Sequence, residues 1–140
     1  MWVRTLVTRT IIAIAGASAS GKSLFSQTIY NELVNELEPG AIAIIEEDAY
    51  YKDQSHLPMA HRTQTNYDHP DAFEHALMLE HLTQLRCGNS VEVPTYDYAQ
   101  HTRSATTRRV PAAKILIVEG ILLLSDKALN KEFDIKVFID

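Results

Sequence analysis

The sequence of 140 residues holds one cysteine, Cys87, which excludes an intramolecular disulfide and points to a reducing, cytoplasmic setting. Long apolar runs are missing too. None approaches the roughly 20 residues that a membrane-spanning helix needs, so no membrane partner is expected. Cationic excess is absent: the net charge of −5 argues against a nucleic-acid partner held by phosphate neutralisation. There is no internal repeat, low-complexity tract or linker, and 46% hydrophobic residues can build one real core but not two comfortable ones. No Asn-Lys-x-Asp signature appears, which weakens the reading of a guanine-nucleotide switch. His69, His75 and His81 recur at sixfold spacing, turning each by about 240° around a helix, so they cannot form a zinc-binding face.

Acidic residues are absent from the first 31 positions, where Arg4, Arg9 and Lys22 carry the charge. This start loosely mimics a targeting leader. The apolar stretch Ile11–Ala15 is only five residues long, however, and cleavage after Ala17-Ser18-Ala19 would destroy the motif described next. Residues 1–9 are therefore expected to be an irregular extension, with the domain running over 10–140.

That motif is Gly16-Ala17-Ser18-Ala19-Ser20-Gly21-Lys22-Ser23, a complete G-x-x-x-x-G-K-[ST] phosphate-binding loop. At average composition it should arise by accident in roughly one chain of this length in 200. The glycines permit a tight turn and let backbone N–H groups approach phosphate oxygens. Lys22 directs positive charge at the β- and γ-phosphates, and the Ser23 hydroxyl suits Mg²⁺. The apolar run before the loop reads as a buried strand. The segment after it reads as a helix, with Phe25, Ile29, Leu33 and Leu37 at fourfold spacing. A helix N-terminus adds partial positive charge to such a site.

Ala41–Ile45, Ile115–Val118 and Ile135–Ile139 read as further buried strands, and alternation with helices implies a mainly parallel sheet covered on both faces. Residues 49–70 read as a long functional loop. A helix is expected from Pro70 to about Cys87, although its apolar residues fall on two faces. Short strands are expected on either side of Pro94. The second strand ends in Glu46-Glu47-Asp48, where open α/β sheets place ligands. Asp48 there is either a proton acceptor and Mg²⁺ holder or an ordinary surface acid. Glu119, ending the third strand, has the same two readings. Tyr96 and Tyr98 share a strand face that either stacks on a nucleobase, with His101 and Arg103 adding hydrogen bonds, or covers the core.

Taken together, Gly16–Ser23, Glu47-Asp48-Ala49-Tyr50-Tyr51, Tyr67-Asp68-His69-Pro70, Pro94-Thr95-Tyr96-Asp97-Tyr98, His101-Thr102-Arg103 and Val118-Glu119-Gly120-Ile121 resemble the uridine–cytidine kinases. These lie within the phosphoribulokinase/uridine kinase family of phosphate-loop kinases, which is related to pantothenate kinase. The resemblance implies an α/β three-layer sandwich with a small β-hairpin that helps bind substrate. It implies transfer of the γ-phosphate of ATP or GTP to the 5′-hydroxyl of uridine or cytidine, in pyrimidine salvage. By the same resemblance, Lys22 and Asp48 are catalytic, Asp48 being the general base, and Ser23, Asp48 and Glu119 hold Mg²⁺. Asp68 binds ribose hydroxyls, Tyr51 and Tyr96 line the nucleoside pocket, and Tyr98 and His101 read the pyrimidine; a homo-oligomer, a tetramer, is also implied. Family chains continue past the strand ending at Asp140 into an arginine-rich lid. Without it, nucleotide binding with little turnover is the expectation. The alternatives are a nucleotide-binding chain without catalysis and a related kinase acting on pantothenate or ribulose phosphate.

Overall fold

The structure is a computed structural model that describes residues 8–17 and 19–140; Ser18 and most of the 1–9 extension lie outside the described residues. Four parallel strands make the central sheet, in the order β2 (Ile42–Glu46), β5 (Ile115–Gly120), β1 (Thr10–Gly16) and β6 (Ile135–Ile139). The register runs Thr10 with Ile115, Ile12 with Ile135, and Ile42 with Ile115. All four carboxyl ends therefore lie along one edge.

Side-chain alternation divides the apolar runs between two faces. Ile11, Ala13, Leu116 and Val118 face a core completed by Met78, Leu82 and Leu85 of helix α3 (His75–Arg86) and by Leu129 of the short α4 (Lys127–Asn130). Ile14 and Ile117 face the other way, onto Ile29, Leu33 and Val34 of α1 (Lys22–Val34). The result is a helix–sheet–helix sandwich. Each fully buried aliphatic side chain contributes about 1.5–3 kcal/mol, so the two apolar layers are the main drive for folding. Among the described residues, no helix is long and apolar enough to cross a membrane.

β6 is not the buried strand expected: at the edge of the sheet it leaves Ile135 48% and Phe138 66% exposed. Three further local expectations are corrected. Phe25 does not join the helix–sheet core: it is 40% exposed, and the apolar residues of α1 that pack on the sheet begin at Ile29. The helix expected from Pro70 is broken into a 3₁₀ turn, Pro70–Ala72, and α3. Phe73 between them is extended and bridged to Tyr51, while Lys52 N–H donates to Ala72 O and Glu74 N–H to Tyr50 O. Backbone pairing between residues 50–52 and 72–74 thus outcompetes helix continuation, and this explains the divided apolar stripe. The two short strands expected around Pro94 are one strand, β3 (Val91–Asp97), with a register irregularity between Pro94 and Tyr96.

β3 pairs antiparallel with β4 (Thr102–Val110) to form a separate two-stranded hairpin. The loop between β2 and α3 carries a 3₁₀ turn, Glu47–Tyr50, and a single-turn helix, α2 (Met59–Arg62). Gly120 closes the sheet against that first 3₁₀ turn: a Cβ on it would lie 2.5 Å from both Cβ and Oε1 of Glu47. Gly120→Ala should therefore destabilise the fold by about 1–3 kcal/mol, as overpacking does. Chemical denaturation of the variant checks this, and unaltered stability would contradict the close approach.

Candidate active site

β1 delivers the phosphate loop to the carboxyl edge of the sheet. A Cβ on Gly16 would sit 2.7 Å from both Ile139 O and Ser20 Oγ, so the loop closes only with glycine there. Ala19 (φ 63°) and Gly21 (φ 91°) take left-handed conformations that turn the chain into α1. Gly21 caps that helix with no side-chain acceptor. The N–H groups of the first turn are consequently left for a ligand. Ser20 Oγ is buried and has no hydrogen-bond partner among the described residues, an orphan that a phosphoryl oxygen would satisfy.

Ser23 Oγ donates to Glu119 Oε1 at 2.9 Å, joining α1 to the end of β5. Asp48 stands in the 3₁₀ turn that follows β2, partly buried. Burial raises its carboxyl above the usual range; Lys22 pulls it down, while Glu47, Glu119 and Asp68 push it further up. Glu46, paired in register with Glu119, is likewise raised, by burial first and then by Glu119 and Asp48. Five acidic side chains, Glu46, Glu47, Asp48, Asp68 and Glu119, thus gather near two cations, Lys22 and Arg108, an excess of negative charge that suits a site built to receive further positive charge. Hydroxyl and carboxylate oxygens are the hard donors that Mg²⁺ prefers, and Mg²⁺ commonly binds through one or two carboxylates together with substrate phosphates. Among the described residues, no three His, Cys, Asp or Glu side chains form a metal cage of their own.

Beside the acids lies an aromatic wall. Tyr51 stacks on Phe73 at 4.5 Å between ring centroids and meets Tyr96 at 5.2 Å and Tyr67 at 5.0 Å. The phenol of Tyr51 is raised, by burial first and then by Asp48, Tyr98, Asp68 and Glu47, which places the wall in the field of the acid cluster. Tyr98 does not share a strand face with Tyr96 as expected. β3 ends at Asp97, and Tyr98 lies in the following turn, 62% exposed, yet its ring comes edge-on to Tyr96 at 5.3 Å. His101 takes a left-handed φ of 49° and lies nearest Tyr67, at 6.4 Å between rings. Arg103 is not free to meet a base: Nη1 donates to Glu74 Oε1 and Nη2 to Tyr51 O, both at 2.9 Å. A groove of about 650 Å³ between α1, β2 and the hairpin meets this wall at Tyr96 and Tyr98. The phosphate loop, Asp48 and Glu119 do not line it.

Sequence reasoning missed Glu47, Gln54 and Tyr67 as site-building residues. Glu47 is wholly buried, its Oε1 accepting from Ile121 N–H and Leu122 N–H at 2.9 Å each and its Oε2 bonded to His75 Nε2 at 2.7 Å. Three consecutive acids in a sequence do not say which one turns inward. Gln54 sits in an aperiodic loop where no local pattern marks it, and Tyr67 opens the Tyr67-Asp68-His69-Pro70 motif, which does not reveal its partners.

The profile of the Phosphoribulokinase / Uridine kinase family matches residues 11–140. The chain is 60% identical over 130 residues to the uridine kinase of Tolumonas auensis, covering 93% of this chain and 61% of that protein. It is 54% identical to the uridine kinase of Haemophilus ducreyi over 93% of this chain and 60% of that one. It thus spans about three fifths of the length of these curated relatives. Among solved structures, a possible uridine kinase from Bacillus stearothermophilus superposes with a TM-score of 0.73 at 21% identity, over 97% of this chain and 72% of that one, a likeness of fold.

The raised carboxyl of Asp48 has a measurable consequence. A group whose folded pKa exceeds its unfolded value stabilises the fold below the unfolded pKa and loses that contribution as pH rises through the folded one. In Mg²⁺-free buffer, Asp48→Asn should melt higher than the parent at about pH 7, with the gain disappearing by about pH 3–4, where both forms are neutral. Thermal melts across that range check it. A pH-independent difference would contradict the crowding of Asp48.

Proposed function

The chain belongs to the phosphoribulokinase/uridine kinase family, and from that premise we propose that it carries the active site of a nucleoside kinase. In this reading the γ-phosphate of ATP or GTP passes to the 5′-hydroxyl of uridine or cytidine, yielding UMP or CMP for pyrimidine salvage. The observation that carries the proposal is the convergence of Lys22, Ser23, Asp48 and Glu119 on the carboxyl edge of β1, β2 and β5, beside the tyrosine wall.

Residues Gly16–Ser23 wrap the triphosphate, with Lys22 opposite its terminal phosphates and the first turn of α1 supplying N–H donors. Ser23, Asp48 and Glu119 would hold Mg²⁺, which would offset the charge of the phosphates. Asp48 takes the proton of the attacking hydroxyl. An oxygen–phosphorus bond forms to the 5′-oxygen as the bond to the β–γ bridging oxygen breaks. Asp68 orients the ribose, Tyr51 and Tyr96 wall the pocket, and Tyr98 and His101 face the pyrimidine. Positioning supplies much of such a rate, so groups scattered over several loops suffice. Assembly into a homo-oligomer and a cytoplasmic setting, which the lone Cys87 suits, belong to the same proposal.

Two measurements test this. Lys22→Ala should weaken Mg·ATP binding by about 1.5–3 kcal/mol in calorimetric titration, the worth of a charge-assisted contact, and unchanged affinity would refute the phosphate site. Competition binding with uridine, cytidine, adenosine and pantothenate should favour the two pyrimidine nucleosides. Preference for pantothenate or adenosine would overturn the substrate class.

A further inference from the structure

We propose that Gln54 is a positioning residue of the pocket, a single carboxamide that locks the aromatic wall to the His101 turn; the inference rests on the nucleoside-kinase reading above. Gln54 is buried, and its side chain joins three segments distant in sequence. Nε2 lies 2.9 Å from Tyr67 Oη, 3.0 Å from His101 O and 3.4 Å from Tyr96 Oη, while Oε1 accepts from the Thr65 hydroxyl. The Gln54 backbone N–H donates to Thr102 Oγ1 at 2.7 Å, one residue beyond the turn.

The protons in this network have one consistent assignment. Tyr67 Oη is 3.0 Å from Arg62 O, which can only accept, so the Tyr67 proton points there. Tyr67 Oη then has two lone pairs left. They are filled by the Tyr96 O–H at 3.0 Å and by one Gln54 N–H at 2.9 Å. The other Gln54 N–H goes to His101 O, and the longer approach to Tyr96 Oη needs no bond. Every N–H and O–H donor in it is satisfied, which makes the network rigid rather than merely polar.

Two consequences reach the pocket. The hydroxyl of Tyr96 is tied to Tyr67, which fixes the ring where it borders the groove. The His101 peptide is held in a left-handed conformation that a non-glycine residue keeps only when its surroundings over-determine it. Loss of the second Gln54 N–H would release that turn, and the His101 ring with it, without touching the phosphate loop.

Gln54→Glu and Gln54→Met separate positioning from packing. Glutamate keeps the size and still accepts from the Thr65 hydroxyl, but it sets an acceptor against His101 O and removes the donor to Tyr67 Oη; methionine fills the volume with no hydrogen bond. Both should weaken uridine binding at least about tenfold while leaving the Mg·ATP dissociation constant within about twofold. The NMR signals of the His101 ring and backbone should shift in the ligand-free variants, with those of Val118 in the sheet unmoved. Unchanged uridine affinity, or uridine and ATP affinity falling together with melting temperature, would overturn the proposal. Should neither variant fold, Tyr67→Phe removes one of the two amide acceptors and must give the same split. A wild-type chain that binds neither uridine nor cytidine would refute the kinase reading itself. In that event the His101 shifts alone decide the positioning role: movement supports it, and none overturns it.

Discussion

The carboxylate of Glu47 is the contact on which the site's geometry hangs. It is shut off from water, and it binds two consecutive backbone N–H groups after β5 with one oxygen and His75 with the other. Burying a carboxyl is tolerable only when its oxygens are filled in this way. Because those partners come from β5 and α3, Glu47 ties the end of β2 to both. Asp48 follows it directly, and Glu119 precedes the glycine that packs against it. The separation of the two acids proposed to share a cation is thus set by a residue that would touch neither substrate.

Around that anchor the site is deliberately unbalanced. Asp48 and Glu46 are raised by burial and by their acidic neighbours, with Lys22 opposing at Asp48 and Arg108 at Glu46. Unfilled N–H donors at the start of α1 and the unpartnered Ser20 hydroxyl lie on the other side. One half lacks cations and the other lacks acceptors. A metal-bound triphosphate supplies both, so the ligand completes a network that the protein alone leaves open.

Most of the sheet could be read from the sequence because β1, β2 and β5 are largely buried and so appear as uninterrupted apolar runs at Ile11–Ala15, Ala41–Ile45 and Ile115–Val118. β6, also mainly apolar, is by contrast a mostly exposed edge strand. The phosphate loop was readable for a different reason: its backbone geometry admits few residue types. β4 offered no such signal, since Thr102–Val110 is polar and mostly exposed, and it is a strand only because β3 pairs with it. The start of α3 was misplaced because the competing bridge from Tyr51 to Phe73 joins residues 22 apart in the chain, beyond the reach of helical periodicity. Glu47 and Gln54 stayed hidden for the same reason: what makes each important is a set of partners far away in sequence. Arg103 illustrates the converse. Its type and place suggested ligand contact, and the fold spends it on Glu74 and the backbone of Tyr51.

A nucleoside pocket beside, and separate from, a phosphate loop can be tested directly by mapping amide and aromatic NMR shifts as uridine, and then a non-hydrolysable ATP analogue with Mg²⁺, is added to the chain. Uridine should move the signals of Tyr51, Asp68, Tyr96, Tyr98 and His101, and the analogue those of Gly16, Gly21, Lys22, Ser23 and Glu119, with Asp48 responding to both. Uridine shifts confined to the phosphate loop, or no response of the tyrosine wall to any pyrimidine nucleoside, would contradict this arrangement.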